Sequence, residues 1–473
     1  MNRGHEVQQL LREAGRLEWE QQWGPARAAY RRLLALEPAI PDSWYNLARL
    51  ERRLGNPLEA LACYRRALEF GVGKPEEVHL NRGVILCDDL REYMEAEVAV
   101  RAALQINPRY LPALLNLEYL CELLGRRDEA VALCEQILAL QPDQAAALAR
   151  LAELHRFSDP HDPLLERLRE ALRRPEMHPA EAAAIGFAFG RALDEIGDFE
   201  AAFAAYARAN RYSRLAAADS GPLYDRVAEV AQVDSIINAF ALPVPAVASP
   251  QPRPVFIVGL LRSGAAVLEQ LLATHPRVYA GGECPQLPLL LQGELAPFPD
   301  RAATLPAGAL ADMAGRYLQG TRAGVPAGHL FIDRQPGGCA WVGLIKLLFP
   351  DALILHTTRD LRDNGLAIWF QHLGHSAGYA LDLRDIAHHV REQQRLMAHW
   401  HSMYGSDILD VDYDALVRDP QGVLAGVLRF MGLELDAACA SGLASLEPHH
   451  SGRWRNYRND LDELAGALGV GLD

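Results

Sequence analysis

The sequence predicts an α-helical solenoid followed by an α/β domain with a parallel sheet and a P-loop-like turn. Three observations predict it. Asn46, Asn81 and Asn116 recur every 35 residues through a stretch of paired amphipathic helices. A proline-rich stretch, Pro243 to Pro254, then interrupts the helical pattern. Directly after it come an apolar run (Val255 to Val258), a glycine-bounded loop (Gly259 to Gly264) and an apolar helical segment (Ala265 to Ala273). At 473 residues the chain exceeds one ordinary domain. The expected boundaries are 8–215 for the helical repeats, 216–253 for a helix and linker, and 254–473 for the α/β domain.

The repeats justify the first domain. Gly55, Leu90 and Gly125 share one register, and Ala60, Glu95 and Ala130 another. Pro38, Pro108 and Pro142 close helical segments. A period of about 34 residues built from helix pairs is the tetratricopeptide-repeat (TPR) signature, and one pair cannot bury its apolar face without stacked neighbours. A further unit over 187–206 repeats the five-residue offset of Gly55/Ala60 in Gly197/Ala202, after a turn-rich break at 157–163. Such an array presents a concave surface to a protein or peptide partner, or serves as a scaffold for its own second domain; the sequence leaves both open. A helix over 223–240 and the linker 242–254 follow.

In the second domain, strands are expected at 255–258, 277–280, 330–333, 352–358 and 407–411, with helices at 265–273, 338–348, 381–404 and 421–432. Strands alternating with helices imply a parallel sheet covered on both faces. The opening loop is an anion site by construction, because N–H groups at a helix start point at the ligand and the helix dipole favours negative charge. Arg262 adds a planar cation suited to phosphate. The Gly259-x4-Gly264 spacing is that of a Walker loop, but Ala265 and Ala266 stand where a nucleotide triphosphatase needs Lys and a hydroxyl. Metal-assisted triphosphate hydrolysis is therefore not expected.

Composition excludes other classes. A net charge of −14 argues against nucleic acid as a partner. Seven scattered cysteines without paired spacing indicate neither zinc nor disulfides, and read as reduced core residues of a cytoplasmic protein. The charged segment Met1 to Arg16 is not a signal peptide, and no run suits a membrane span. His388–His389 and His449–His450 lack metal-ligand spacing, so no metal is expected.

Arg262, Glu283, Arg334 and Arg359 each fall at or just past the expected end of a strand, the edge where open α/β sheets bind ligands. Three cations with one carboxylate suit a polyanionic ligand. Val258-Gly-Leu-Leu-Arg-Ser-Gly-Ala-Ala266, Glu269-Gln, His275-Pro and Gly281-Gly-Glu283 resemble the sulfotransferase signature. Asp333-Arg-Gln-Pro336, Arg359-Asp-Leu-Arg-Asp363, Val411-Asp-Tyr-Asp-Ala-Leu-Val417 and Gly452-Arg-Trp454 extend the resemblance to the TPR-linked bacterial relatives of tyrosylprotein sulfotransferase.

What the resemblance implies is PAPS-dependent transfer of a sulfuryl group to a hydroxyl of a protein tyrosine, sugar or small molecule, without a metal. PAPS is 3′-phosphoadenosine 5′-phosphosulfate, and PAP its desulfonated product. The resemblance makes Glu283 the general base and gives Arg334, in place of the family's Lys, the contact to the transferring group. It assigns Arg262, Ser263, Gly264, Ala265 and Ala266 to the 5′-phosphate loop, Arg359 and Ala367 to the 3′-phosphate, Tyr413 to the adenine segment, and Ser451, Arg453 and Trp454 to the tail. A homodimer is compatible with it. The plainer accounts are a helix N-cap for Arg359–Asp360, a solvated turn for Glu283 and a core anchor for Trp454. Ala265, Ala266 and Ala367 stand where the family has hydroxyls. At roughly 1.5–3 kcal/mol for each bond to a charged group, three lost hydroxyls cost about 4–9 kcal/mol. The alternative function is a catalytically inactive sulfotransferase-fold protein working as a TPR interaction module.

Overall fold

A computed structural model of the protein describes residues 3–217, 223–242, 253–321, 325–326, 328–439 and 451–472. Two compact units, Met1–Pro175 and Glu176–Asp473, make up the chain.

The first unit is helical: α1 (Arg3–Trp19), α2 (Trp23–Leu36), α3 (Pro41–Arg53), α4 (Pro57–Glu69), α5 (Pro75–Val84), α6 (Tyr93–Ile106), α7 (Leu111–Leu123), α8 (Arg127–Leu140), α9 (Ala145–Leu154) and α10 (Pro163–Ala171). Proline opens α3, α4, α5 and α10, where its fixed φ suits a helix start and its missing N–H costs nothing. Short connections make successive helices hairpin partners, α1 with α2, α3 with α4, α5 with α6 and α7 with α8. Tyr30, Leu33, Leu47, Ala60 and Tyr64 interlock in the core of the first pairs.

The middle repeat departs from the register expected of it. Ala60 and Ala130 are fully buried where helices cross, but Glu95 is exposed and Ala96 takes the buried position. The cause is one extra residue. Ile85–Asp89 widens to a π-helical turn, and Arg91, at φ 60°, reverses the chain where Gly55 and Gly125 do so in the flanking repeats. Leu90 cannot supply that turn because its φ is −112°.

In the second unit, α11 (Pro179–Glu195) and α12 (Phe199–Ala217) form a long hairpin. The sequence register groups this hairpin with the repeats, yet it is compact with the α/β fold. Tyr206 stacks on Phe370 at 3.9 Å, and Asn210 Nδ2 donates to the carbonyl of Trp369 at 3.0 Å. These partners lie about 160 residues downstream, so no local pattern reveals them. The expected helix at 223–240 is α13 (Arg226–Ala239); linker residues 243–252 lie outside the described residues.

The sheet has strands β1 (Val255–Gly259), β2 (Val278–Ala280), β3 (Leu330–Pro336), β4 (Leu353–Thr358) and β5 (Ile408–Asp412), in the order β2-β3-β1-β4-β5, all parallel. Period-two alternation sends Val255 and Ile257 to one face, against Leu268, Leu271 and Leu272 of α14 (Ala265–Ala273). α15 (Gln286–Gln292), α16 (Asp300–Ala303) and α17 (Ala307–Thr321) precede β3, and α18 (Val342–Leu348) follows a 3-10 turn at Gly338–Trp341. α19 (Leu361–Trp369) and α20 (Leu383–Tyr404) separate β4 from β5, and α21 (Tyr413–Arg418) and α22 (Pro420–Phe430) follow it. Phe256 and Val258 face the other way, into a core with α13, α17, α18 and α20. Tyr317, Phe349 and Trp400 are fully buried there, each burial contributing about 1.5–3 kcal/mol. The 3-10 segment Arg453–Asp460 and α23 (Asp462–Leu468) close the chain. β3 runs longer than expected, so Arg334 lies within the strand, paired with Ile257, rather than past its end.

All seven cysteines are buried and free. Among the described residues no helix is long and apolar enough to cross a membrane.

Candidate functional site

The strand order reverses direction at β1, which has β3 on one side and β4 on the other. In parallel sheets the crevice beyond the strand ends at such a point is where ligands bind. A cavity of about 440 Å³ opens there. Of the expected site residues, Arg262, Gly264, Ala265, Ala266, Glu283, Arg334, Arg359 and Tyr413 all line it.

The loop between β1 and α14 is held from the β4 side. Ser263 Oγ donates to the carbonyl of Leu260 at 2.7 Å and meets Thr357 Oγ1 at 2.6 Å. Asn364 Nδ2 donates to the carbonyl of Leu261, and Arg359 Nη1 to that of Arg262 at 3.3 Å. The backbone turns through φ 65° at Arg262 and 101° at Gly264. Only glycine fits at 264, because a Cβ there would sit 2.2 Å from Tyr413 Cδ2. The turn delivers the chain into α14, whose first N–H groups are not consumed within the helix. Ser263 is almost fully buried, so its hydroxyl builds the loop rather than lining the cavity.

Two cations converge on this loop. Arg359 lies over the Tyr413 ring at 5.0 Å. Arg262 is exposed by area, yet enough protein surrounds it to lower its pKa by desolvation, and the like charge of Arg359 lowers it further. A fold that holds two guanidiniums together beside a helix start is disposed to accept an anion. Asp360, the residue next to Arg359, caps α19 through the N–H groups of Arg362 and Asp363, and its ion pair is with Arg362 at 2.6 Å.

Glu283 and Arg334 face each other on the other rim. Arg334 Nη1 donates to Glu283 Oε1 and its Nε to Glu269 Oε2, both at 2.6 Å. Burial alone would lower the Arg334 pKa, but Glu269 and then Glu283 raise it. Glu269 also accepts from the N–H of Gly282 at 2.8 Å, and the N–H of Arg334 donates to the carbonyl of Gly282. One carboxylate on α14 thus fixes both the turn carrying Glu283 and the guanidinium beside it. In the sequence Glu269 stands in the Glu269-Gln pair with no role marked; its place among Leu268, Leu271 and Leu272 on the buried helix face is the signal for this role.

Behind Arg334, Asp333 points to the opposite face and is fully buried. It accepts from Gln335 Nε2 at 2.7 Å and from the Tyr317 hydroxyl. Burial outweighs these bonds and pushes its pKa up to about 6.

The remaining expected residues are not brought to the cavity lining. Ala367 is half-buried in α19. Ser451 Oγ donates to Asp414 Oδ1 at 2.6 Å. Arg453 pairs with Asp194 of α11 and lies over Phe370. Trp454 is buried, its backbone N–H donating to Asp363 Oδ1 at 2.8 Å, with Arg362 stacked on its ring at 3.9 Å.

Residues 254–437 match the sulfotransferase family, and residues 41–70 match the tetratricopeptide repeat. The chain therefore carries a sulfotransferase family domain behind a TPR region. An uncharacterized protein of Aquifex aeolicus (strain VF5) is 26% identical over 358 residues, covering 72% of this chain and 46% of its own length; the chain thus spans about half of that relative. Among solved structures, the sulfotransferase domain from the Synechococcus PCC 7002 olefin synthase has a TM-score of 0.31 at 20% identity, over 48% of this chain and 100% of its own. The crystal structure of MamA has a TM-score of 0.31 at 18% identity, over 34% of this chain and 92% of its own. YrrB, a TPR protein with an unusual peptide-binding site, has a TM-score of 0.29 at 20% identity, over 34% and 84%.

Proposed function

We propose that the protein is a PAPS-dependent sulfotransferase acting on a hydroxyl acceptor. The observation that carries the reading is the meeting of Arg262, Arg359 and the start of α14 at one cavity, with Glu283 and Arg334 on its rim. When bound, PAPS supplies an activated sulfuryl group. Arg262 and the N–H groups opening α14 hold the 5′-phosphate end, Arg359 holds the 3′-phosphate, and Tyr413 orients Arg359 from beneath. Glu283 takes the acceptor proton, and Arg334 balances negative charge that grows during transfer. Because Glu269 also grips Arg334, the guanidinium stays in place when Glu283 turns to the acceptor. Positioning and charge carry the rate in this scheme.

A second reading, a pocket without catalysis, draws on Ser263, whose hydroxyl is already committed, and on Ala265 and Ala266, which have none. Calorimetric titration of PAP into the full chain separates the two from a wrong assignment. Micromolar binding that weakens at least ten-fold in Arg359→Ala is expected, and turnover with PAPS then divides enzyme from relic. No binding to either protein removes PAPS from the account.

In the first unit, a cavity of about 970 Å³ lined by Trp19, Trp23, Tyr45, Arg49, Arg52 and Arg53 is the surface we assign to a protein or peptide partner. Its aromatic rings suit side-chain stacking, and its guanidiniums, which pair with Glu18 and Asp89 or lie over Trp23, would exchange those partners for a carboxylate of the ligand.

A further inference from the structure

Strand register, not sequence spacing, assembles a second group of polar side chains in the second unit. His356 and Asp410 are direct partners across β4 and β5. Both take the alternation that puts Ile354 and Ile408 against α20, and His401 reaches them from the end of that helix. His356 Nδ1 lies 2.7 Å from Asp410 Oδ1, and His401 Nε2 lies 3.1 Å from the same oxygen. One ligand atom from each residue falls within 4.8 Å of the others. None of the three lines the anion cavity.

We propose that His356, His401 and Asp410 form a mononuclear site for a divalent transition metal of the zinc class. Two imidazoles and a carboxylate are the borderline donor set that such ions favour over calcium or magnesium. Bonds of about 2.1 Å to a tetrahedral ion need donors about 3.4 Å apart. The two His–Asp contacts would therefore open by roughly 0.3–0.7 Å, and the spacing of the two imidazoles, within 4.8 Å, would settle toward the same value.

The three residues border a cavity of about 270 Å³ that adjoins the anion cavity, sharing Leu260 and Arg359 with it, and that leaves room for a further ligand such as water. The ion would tie edge strand β5 and the end of α20 to β4.

The test is titration of zinc chloride into the chelator-dialysed full chain, followed by calorimetry and by thermal unfolding. One zinc per chain and a rise in Tm are expected. His401→Gln and Asp410→Asn, both at the more exposed side of the group, should each weaken binding by on the order of 10- to 100-fold and abolish the Tm rise. A control with His449 and His450 both changed to Ala should bind as the parent does. No zinc binding by the parent overturns the proposal, as does binding that survives His401→Gln and Asp410→Asn or that disappears in the control. PAP titration of the parent in the absence of zinc reads the anion cavity on its own.

Discussion

Replacing Asp333 by Asn should flatten part of the pH dependence of stability, and the size of the effect follows from its burial. An unfolded aspartate titrates near 3.8, whereas in the fold this carboxyl titrates near 6. Below the lower value both states hold the proton and the residue adds no pH dependence. As pH rises from about 4 to 6, the unfolded chain gains by ionising while the buried group cannot follow, so stability falls. Above 6 the loss is complete and constant. Two pKa units at 1.36 kcal/mol each make the loss about 3 kcal/mol. Asn resembles the protonated acid but offers N–H₂ where Asp333 accepts from Gln335, so it carries a fixed penalty at every pH. The diagnostic is thus the change in the gap between the two proteins, not its value at one pH. Urea unfolding followed by fluorescence at pH 4 and pH 7 measures it, and the other carboxyls cancel because both proteins share them. The gap should shift in favour of the Asp333→Asn protein by about 2 kcal/mol between pH 4 and pH 7, because at pH 4 the unfolded group is already about half ionised. Parallel curves would mean that Asp333 ionises freely in the fold and that burial does not govern it.

Three further outcomes are expected. Glu283→Gln should lower PAPS turnover by about 100-fold or more while PAP affinity stays within a factor of two; equal turnover would remove Glu283 as the base. Gly264→Ala should weaken PAP binding and cost on the order of 1–3 kcal/mol in stability, because the residue must keep φ near 101° against the Tyr413 ring; a neutral result in denaturant titration and calorimetry would contradict the loop geometry. Ala265→Thr with Ala266→Thr should tighten PAP binding at least ten-fold, equivalent to about 1.4 kcal/mol, and an unchanged Kd would mean that the loop N–H groups already saturate the phosphate.

What the sequence made legible was whatever depends on neighbours in the chain. Gly259 and Gly264, the apolar run between Pro254 and Gly259, and the 35-residue asparagine register are local patterns, and they led to the strand, the loop and the repeats. Arg359 was legible because an apolar strand ends next to it. Glu269 was not, because its meaning lies in reaching from α14 to Arg334 on β3. Arg453 and Trp454 sit in a recognisable tail, but their contacts are with Asp194, Asp363 and Arg362, set by packing across the unit. The His356–Asp410 pair needs the β4–β5 register, and the exposed Glu95 needs the π-helical insertion before it. In each case the missing information is a long-range pairing or a one-residue slip.

The substitutions in the loop and its geometry bear on each other. A threonine hydroxyl contributes through a short, directional bond, so losing it is felt only at one position. Charge acts over longer distances and tolerates small displacements. The cavity retains its charges in Arg262, Arg334 and Arg359, and retains the helix start, whose donors are backbone groups that no side-chain substitution removes. What such a site needs is a loop held rigidly without help from Ala265 and Ala266. Thr357, Asn364 and Arg359 provide that from outside the loop, by bonding Ser263 and the carbonyls of Leu261 and Arg262. The anion-binding shape therefore depends on the β4–α19 connection as much as on the glycine-bounded loop itself. An alanine-substituted loop can keep its form for as long as that clamp is intact.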